Sequence, residues 1–419
     1  MIAVANIILL IVAIVLVVPV AILLVEGLAA LLPGRSLTAD RGLRPSVAVL
    51  VPAHDEEADI AATIGDVLPQ LGERDRLVVV ADNCTDCTAE VARAAGAIVV
   101  ERRDPSRTGK GYALDHGLRF LATNPPCVVV MIDADCRATP GTIDSLARQA
   151  WKSGRPAQAT NLLEQPPHAG SRECLSVLAF LVKNLVRPRG LQRLGLPCLL
   201  TGTGMAFPWR VVEGASPAGG SIVEDMQMGT QFAVRGYPPI YCPEARVTSR
   251  LPNSAAAAFT QRTRWEHGHL ETLLTEVPRL LAIGVRRLSL ATVALALEVA
   301  VPPLSLLAAT LAGCTFMAAL AGALGCSWVP AAVLATGAAS LFGSVMLAWL
   351  RFGRGSAIGP LLSVPLYVIW KIPIYLNFLV RRQTRWIRTE RDAAVRPQAV
   401  HHARADAEYA GAGKQGSAL

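Results

Sequence analysis

Val128-Val129-Val130-Met131-Ile132-Asp133-Ala134-Asp135 is an apolar run that ends in two carboxylates one residue apart. Apolar, largely β-branched residues without polar alternation describe a strand buried on both faces, as in a parallel sheet. Ligands of such sheets bind beyond the carboxyl ends of the strands, where Asp133 and Asp135 fall. An Asp-x-Asp there offers hard oxygen ligands to Mg²⁺ or Mn²⁺, ions that take carboxylates together with substrate phosphates. Alone, the pattern reads more readily as a strand followed by an acidic turn. Its company along the chain decides.

That company is α/β. Val47-Ala48-Val49-Leu50-Val51 is a second buried strand, ending at Pro52-Ala53-His54-Asp55-Glu56-Glu57, and a helix is expected over Ile60–Leu68. Leu77-Val78-Val79-Val80-Ala81 ends at Asp82-Asn83, Thr88–Ala95 is helical, and Ala97-Ile98-Val99-Val100 is another strand. Gly109-Lys110-Gly111 opens a helix to about Leu121. This alternation predicts right-handed βαβ units in a parallel sheet. Acidic groups recur at the ends of three strands, the layout of a nucleotide site.

The flanks are of another kind. The 419-residue chain is 52% hydrophobic and carries 40 Lys+Arg against 32 Asp+Glu, a formal charge of +8. That is too apolar for a purely soluble enzyme. No basic stripe with interleaved aromatics appears, which argues against a nucleic-acid partner. Met1 to Val25 holds no charge, long enough to cross a bilayer and lacking the basic start and short core of a cleaved signal peptide. Arg35, Arg41 and Arg44 follow, so the next domain is expected in the cytoplasm of an inner-membrane protein. The nine cysteines form no disulfide framework, and Cys84-x-x-Cys87 has no second pair at zinc spacing.

Further along, Thr201-Gly202-Thr203-Gly204 is a small-residue loop, either a tight turn or a place for close ligand approach. Glu224-Asp225 opens a helix through Ala233, where an acid also complements the helix dipole. A helix over Ala255–Leu274 sets Gln261, Arg264 and Trp265 on one face. His267 and His269 point apart on it and suit packing or substrate contact better than a metal. From Leu288 to Leu350 only Glu298 is charged, enough for two spans broken at Pro302-Pro303. If the segment 355–380, interrupted by Lys371, crossed as well, Arg381, Arg382, Arg385 and Arg388 would lie outside, against the charge rule that Arg351 and Arg354 obey. It is therefore expected to lie at the interface or re-enter, unless 288–350 holds a third span. The expected division is an N-terminal span in 1–32, a catalytic domain in 46–275, a basic interfacial segment in 276–287, a membrane region in 288–380 and a disordered tail in 392–419.

Taken together, the pieces resemble the inverting, metal-dependent family 2 glycosyltransferases, which pair a GT-A nucleotide-diphospho-sugar transferase domain with membrane helices, as in cellulose, hyaluronan and poly-N-acetylglucosamine synthases. The matching pieces are Val51 to Glu57, Ala81-Asp82-Asn83, Gly109-Lys110-Gly111, Asp133-Ala134-Asp135, Glu224-Asp225 and Gln261-Arg262-Thr263-Arg264-Trp265. His54-Asp55 departs from the family's usual aromatic or small residue followed by Asn. The resemblance implies that Asp82 and the Pro52–Glu57 loop, with Pro52, Ala53 and Glu57, hold uridine, and that Lys110 neutralises phosphate. It implies that Asp133 meets both the base side and, with Asp135, a Mg²⁺ or Mn²⁺ cofactor. Asp225 would be the general base, and Gln261, Arg264 and Trp265 would hold the pyrophosphate and the acceptor end.

The implied reaction moves sugar from a nucleotide-sugar donor to a growing exopolysaccharide or a lipid-linked saccharide. The resemblance also admits membrane lipids and export or polymerisation proteins as partners. The alternative is a single-addition, ceramide-type glycolipid glucosyltransferase, which carries the same Gln-x-x-Arg-Trp pattern. Polyprenyl-phosphate sugar synthases generally lack it. A non-catalytic membrane scaffold is disfavoured by the intact acidic set.

Overall fold

The computed structural model describes residues 2–33, 42, 44–165, 169–215, 217–218, 223–251, 254–353, 359–380 and 382. Arg35, Arg41, Arg354, Arg381, Arg385 and Arg388, on which the topology reading draws, and the tail 392–419 lie outside the described residues.

Helix α1 (Ile2–Ala30) precedes the first half of a sheet: β1 (Val47–Ala53), α2 (Ile60–Val67), β2 (Arg76–Asp82), α3 (Thr88–Ala94), β3 (Ile98–Arg102), α4 (Lys110–Leu121) and β4 (Val128–Met131). Alternate residues of these strands feed two cores. Val47, Val49, Val51, Val128 and Val130 pack under Ile60 and Ile64 of α2. Ala48, Leu50, Val129 and Met131 pack under Leu114 and Leu118 of α4. This two-sided burial is what the unbroken apolar runs encode, and it fixes register, because a one-residue slip would exchange the two cores. Gly117 lets α4 settle close: a Cβ there would stand 2.9 Å from Val80 Cγ2.

The second half is β5 (Arg137–Ala138), α5 (Thr142–Ser153), β6 (Ala157–Glu164), α6 (Ser171–Leu181), a π-helical turn (Val182–Val186), α7 (Arg187–Arg193), β7 (Met205–Pro208), α8 (Trp209–Val212), α9 (Glu224–Val234) and β8 (Ile240–Arg250). The eight strands run in the order β3-β2-β1-β4-β7-β6-β8-β5. β3, β2, β1 and β4 are parallel, as expected. Beyond β4, past the stretch read as βαβ units, the sheet is mixed: β7 is antiparallel to both β4 and β6, and β5 to β8. The cause is local. Thr203 Oγ1 accepts from Asp133 N at 3.1 Å, so the loop before β7 lies at the carboxyl end of β4. A strand entering there must run the opposite way.

Next come α10 (Ala255–Arg286), α11 (Leu290–Ala300), α12 (Leu304–Ala323), α13 (Val329–Phe352), a 3-10 turn (Gly359–Ser363) and α14 (Val364–Val380). The Ser254 side chain caps α10 by accepting from Ala257 N at 3.2 Å. The helix expected to stop at Leu274 runs on to Arg286, so residues 276–286 are its continuation, anchored by the buried Leu280. By length and composition, four helical stretches among the described residues can cross a membrane: Ile2–Ala30, Leu304–Ala323, Val329–Phe352 and Gly359–Val380. The region 288–350 thus contains two long helices. The shorter α11 packs through Leu295 and Val299 on Met226 and Ala233 of α9. The π turn joins the two worlds: Val182 and Val186 pack with Val20 and Leu23 of α1 and Leu307 and Leu311 of α12. Beside it, Arg187 Nε donates to Glu26 Oε2 of α1 at 2.6 Å, both buried.

Candidate active site

The carboxyl ends of β1, β2 and β4 open on a cavity of about 170 Å³ lined by Pro52, Ala53, Asp55, Glu56, Asp82, Asn83, Lys110, Asp133, Asp135, Gln261 and Arg264, among others. A second cavity, of about 520 Å³, shares Lys110, Asp133, Asp135, Gln261 and Arg264 with it and adds Glu224, Asp225 and Trp265. Every site residue expected from the sequence lines one of the two except Glu57. Glu57 is exposed, and its Oε2 accepts from Cys87 N at 3.1 Å at the start of α3. Its neighbour Glu56 takes the place at the rim. The reason is backbone geometry: Asp55 has φ +52°, which turns the loop, and its Oδ1 accepts from Thr85 N at 2.6 Å. Asn83, with the same φ of 52° at the end of β2, lies opposite. Residues held in this region of φ cluster at ligand sites.

Asp82 ends β2 almost wholly buried. Its Oδ1 accepts from Arg102 Nη1 at 2.6 Å and from Asn83 Nδ2 at 3.2 Å. Its Oδ2 has no hydrogen bond to any described residue, which leaves one oxygen for a ligand.

Lys110 is the centre of the arrangement. It is the first residue of α4, and its Nζ lies 2.5 Å from Asp133 Oδ1, 2.6 Å from Gly202 O and 3.6 Å from Glu224 Oε1. Gly202 takes φ +86°, a conformation L side chains rarely adopt, and its Cβ position faces Asp225 Oδ2 at 3.4 Å and Lys110 Nζ at 3.7 Å, in ordinary contact. The Thr201–Gly204 loop is therefore the floor that joins β4, α4 and α9, and not merely a turn.

Burial is the largest influence on the acids. Desolvation pushes Asp133, Glu224 and Asp225 up, and the Lys110 ammonium pulls each of them back. Burial likewise opposes the charge on Lys110, but Asp133, Glu224 and Asp225 outweigh it and hold the ammonium above its ordinary range. A cluster of three raised carboxyls round one cation is suited to proton transfer and to anion binding.

Asp133 and Asp135, with the Cys136 thiol, bring potential ligand atoms within 4.8 Å of one another. Two carboxylates fit a hard divalent cation. The thiol does not: burial pushes Cys136 well above its ordinary value, so it stays protonated.

On α10, Gln261, Arg264 and Trp265 reach the larger cavity together, and Trp265 packs on Phe180 with ring centroids 5.7 Å apart. His267 and His269 do diverge, with Nε2 atoms 2.9 Å from Ile374 O and 3.3 Å from Val299 O. Glu224 and Asp225 both line the larger cavity, which wraps round the first turn of α9. Sequence reasoning missed Asn161, Lys183, Asn184 and Glu266, which line it too. Asn161 Oδ1 and Thr201 Oγ1 are buried without partners and can meet sugar hydroxyls. None lies in a recognisable motif. Only Lys371, a lone charge in an apolar run, was visible as an anomaly.

A model of the family described as glycosyltransferase like family 2 matches residues 45–268. The chain is 36% identical over 131 residues to the glucosyl-3-phosphoglycerate synthase of Mycolicibacterium paratuberculosis, covering 26% of this chain and 39% of that protein. It is 37% identical over 102 residues to the low-salt glycan biosynthesis hexosyltransferase Agl6 of Haloferax volcanii, covering 24% of this chain and 23% of that one. The matches thus span well under half the length of either relative. Among solved structures, the mannosyltransferase PcManGT of Pyrobaculum calidifontis, in complex with GDP-Man and Mn²⁺, aligns with a TM-score of 0.53 at 20% identity, covering 87% of this chain and 99% of that one. The shared fold therefore reaches past residues 45–268 into the apolar helices.

Proposed function

The chain belongs to the glycosyltransferase-like family 2, and on that premise we propose that it is an inverting, membrane-embedded glycosyltransferase. It moves a sugar from a nucleoside-diphosphate sugar to a saccharide acceptor at the membrane, with its catalytic domain in the cytoplasm. The observation that carries this reading is Lys110, set among Asp133, Glu224 and Gly202 O where the two cavities meet. The smaller cavity has the size and the acidic rim for a nucleoside, and the larger one the unpaired polar atoms for sugars.

In the reaction, an acceptor hydroxyl forms a bond to the anomeric carbon while the bond from that carbon to the diphosphate oxygen breaks. The hydroxyl proton passes to a carboxylate, assigned to Asp225, and the nucleoside diphosphate departs with the electron pair. Lys110 and Arg264 lie where they can neutralise the charge on the leaving group. Asp82 Oδ2 and the β1 loop bind the nucleoside, and Trp265 offers a ring face to the acceptor sugar. Mg²⁺ or Mn²⁺ held by Asp133 and Asp135 would supply further neutralisation of the diphosphate. One displacement with one base inverts the centre, so an α-linked donor gives a β-linkage.

Gln261, Arg264 and Trp265 together on α10 support kinship with the cellulose and hyaluronan synthases. The apolar walls of the larger cavity favour a lipid-linked acceptor, and with it the single-addition reading, over a free chain. The test is hydrolysis and transfer by the detergent-purified chain with a panel of UDP- and GDP-sugars and Mn²⁺, with products identified by mass spectrometry. Metal-dependent release of nucleoside diphosphate from at least one donor is expected. No turnover with any donor, in a protein that retains its fold, would overturn the assignment.

A further inference from the structure

The larger cavity does not end at the carboxylates. It continues into a cleft between α13 and α14, with Leu341, Phe342, Val345 and Met346 on one side and Val364 and Val368 on the other. The α13 wall carries no hydroxyl, amide or charge. Tyr367, on the α14 side, has its hydroxyl 3.1 Å from Ser176 Oγ. Phe342 is 65% exposed, so the cleft opens sideways onto the face that meets lipid. Such a passage suits a hydrocarbon chain, and its α13 wall offers no hydrogen bond to a glycan.

Where this cleft meets the acidic site stands the π-helical turn, a feature common at functional positions. Lys183 and Asn184 line the cavity from that turn, while Val182 and Val186 on either side pack into the membrane-helix core. Three other cations along the cavity have carboxylate partners: Lys110 has Asp133, Arg187 has Glu26 and Lys371 has Glu266. Lys183 has no hydrogen bond or ion pair to any described residue. The Asn184 side chain is only 3% exposed, yet its Oδ1 is likewise unpartnered. An amide oxygen buried without a partner costs stability unless a ligand completes it, and the half-buried Lys183 ammonium in the same turn offers that ligand a positive charge.

We propose that the acceptor is a lipid-linked saccharide whose phosphate binds Lys183 and Asn184 and whose hydrocarbon chain lies in the α13–α14 cleft. This rests on the glycosyltransferase reading and narrows it to one acceptor class. The anion on Lys183 completes the turn, and the sugar beyond the phosphate is delivered towards Asp225, whose charge Lys183 already senses. Burial holds the Lys183 ammonium below its ordinary value, and an incoming phosphate restores it.

The test measures binding of geranylgeranyl phosphate, geranylgeraniol and inorganic phosphate to the full chain in detergent, with UDP and GDP binding in Mn²⁺ measured in parallel. The lipid phosphate is expected to bind at least about tenfold more tightly than the alcohol, which lacks the charge-assisted contact, and than inorganic phosphate, which lacks the buried hydrocarbon chain. Lys183→Met should abolish the preference for phosphate over alcohol, and Lys183→Arg should keep it. Val345→Trp, which fills the cleft, should weaken both lipid ligands alike. Equal binding of phosphate and alcohol, inorganic phosphate binding as tightly as the lipid, or a preference that survives Lys183→Met would each overturn the proposal. A chain that binds nucleotide but fails these comparisons loses only this acceptor. A folded chain that binds neither nucleotide loses the transferase reading, and this proposal with it.

Discussion

Lys371, the one charged residue inside α14, is ion-paired with Glu266 of α10, and Tyr375 donates to the other Glu266 oxygen at 2.8 Å. Both charges are nearly buried, at 6% and 11% side-chain exposure. Glu266 follows Trp265 directly, so the charge that interrupts the last apolar segment is tied to the helix that carries Gln261, Arg264 and Trp265. His267 Nε2 meets Ile374 O, and Leu270 packs with Phe378, along the same seam.

Breaking this pair from one side should therefore cost more than removing it. Lys371→Met leaves Glu266 buried and uncompensated, a loss of about 3–5 kcal/mol, whereas Lys371→Met with Glu266→Gln should recover most of it. Thermal unfolding of the three proteins in detergent measures the difference. A double variant no more stable than the single would show that the two residues do not act as a pair.

The same seam bears on topology. The named partners of α14 lie on α6, α10 and the first turn of α12, at Ser305 and Leu306. We propose that a helix held there lies along the catalytic domain at the membrane face. A cysteine placed at Arg382 in a cysteine-free chain should be labelled from the side of the catalytic domain. Labelling from the opposite face alone would make α14 a span.

For the chemistry, Asp225→Asn keeps shape and removes basicity, so transfer should fall by about 10² or more while nucleoside diphosphate still binds. Glu224, 3.6 Å from Lys110, is the rival. Near-normal turnover in Asp225→Asn together with an inert Glu224→Gln would move the base to Glu224.

Asp135→Ala should abolish transfer and weaken nucleotide binding, and excess chelator should reproduce the loss in the unaltered chain. Titration with Mn²⁺ followed by isothermal calorimetry reads the site directly. Undiminished transfer in chelator would remove the metal from the mechanism.

Acid should destabilise the α10–α11 contact. Burial, helped by the nearby Lys183 charge, pulls His269 from an ordinary 6.5 down to about 3, and its neutral Nε2–H donates to Val299 O. Between those two values the unfolded chain binds a proton that the folded one refuses. Stability is thus complete above pH 6.5 and falls as pH drops below it, by at most about 1.4 kcal/mol per pH unit. His269→Gln should flatten that limb of a melting-temperature profile from pH 7.5 to 5. An unchanged slope would assign the acid sensitivity elsewhere.

The nucleotide half of the molecule was legible in the sequence because its signals are local. Two-sided strands announce themselves as unbroken apolar runs, and Asp82, Lys110 and Asp133 follow from where those runs end. Span lengths and the opening of α9 at Glu224 are equally local. What folding alone decided lies between distant segments. Glu56 rather than Glu57 reaches the rim because Asp55 takes a positive φ, which no composition around it betrays. The sheet turns mixed because the loop at Thr203 docks on Asp133, 70 residues away in the chain. Lys183 and Asn184 sit in an ordinary-looking helical stretch, and only the packing of Val182 and Val186 against membrane helices turns that stretch into a wall of the cavity. A strand's burial is written in its own residues, but a cavity belongs to every segment that fails to fill it.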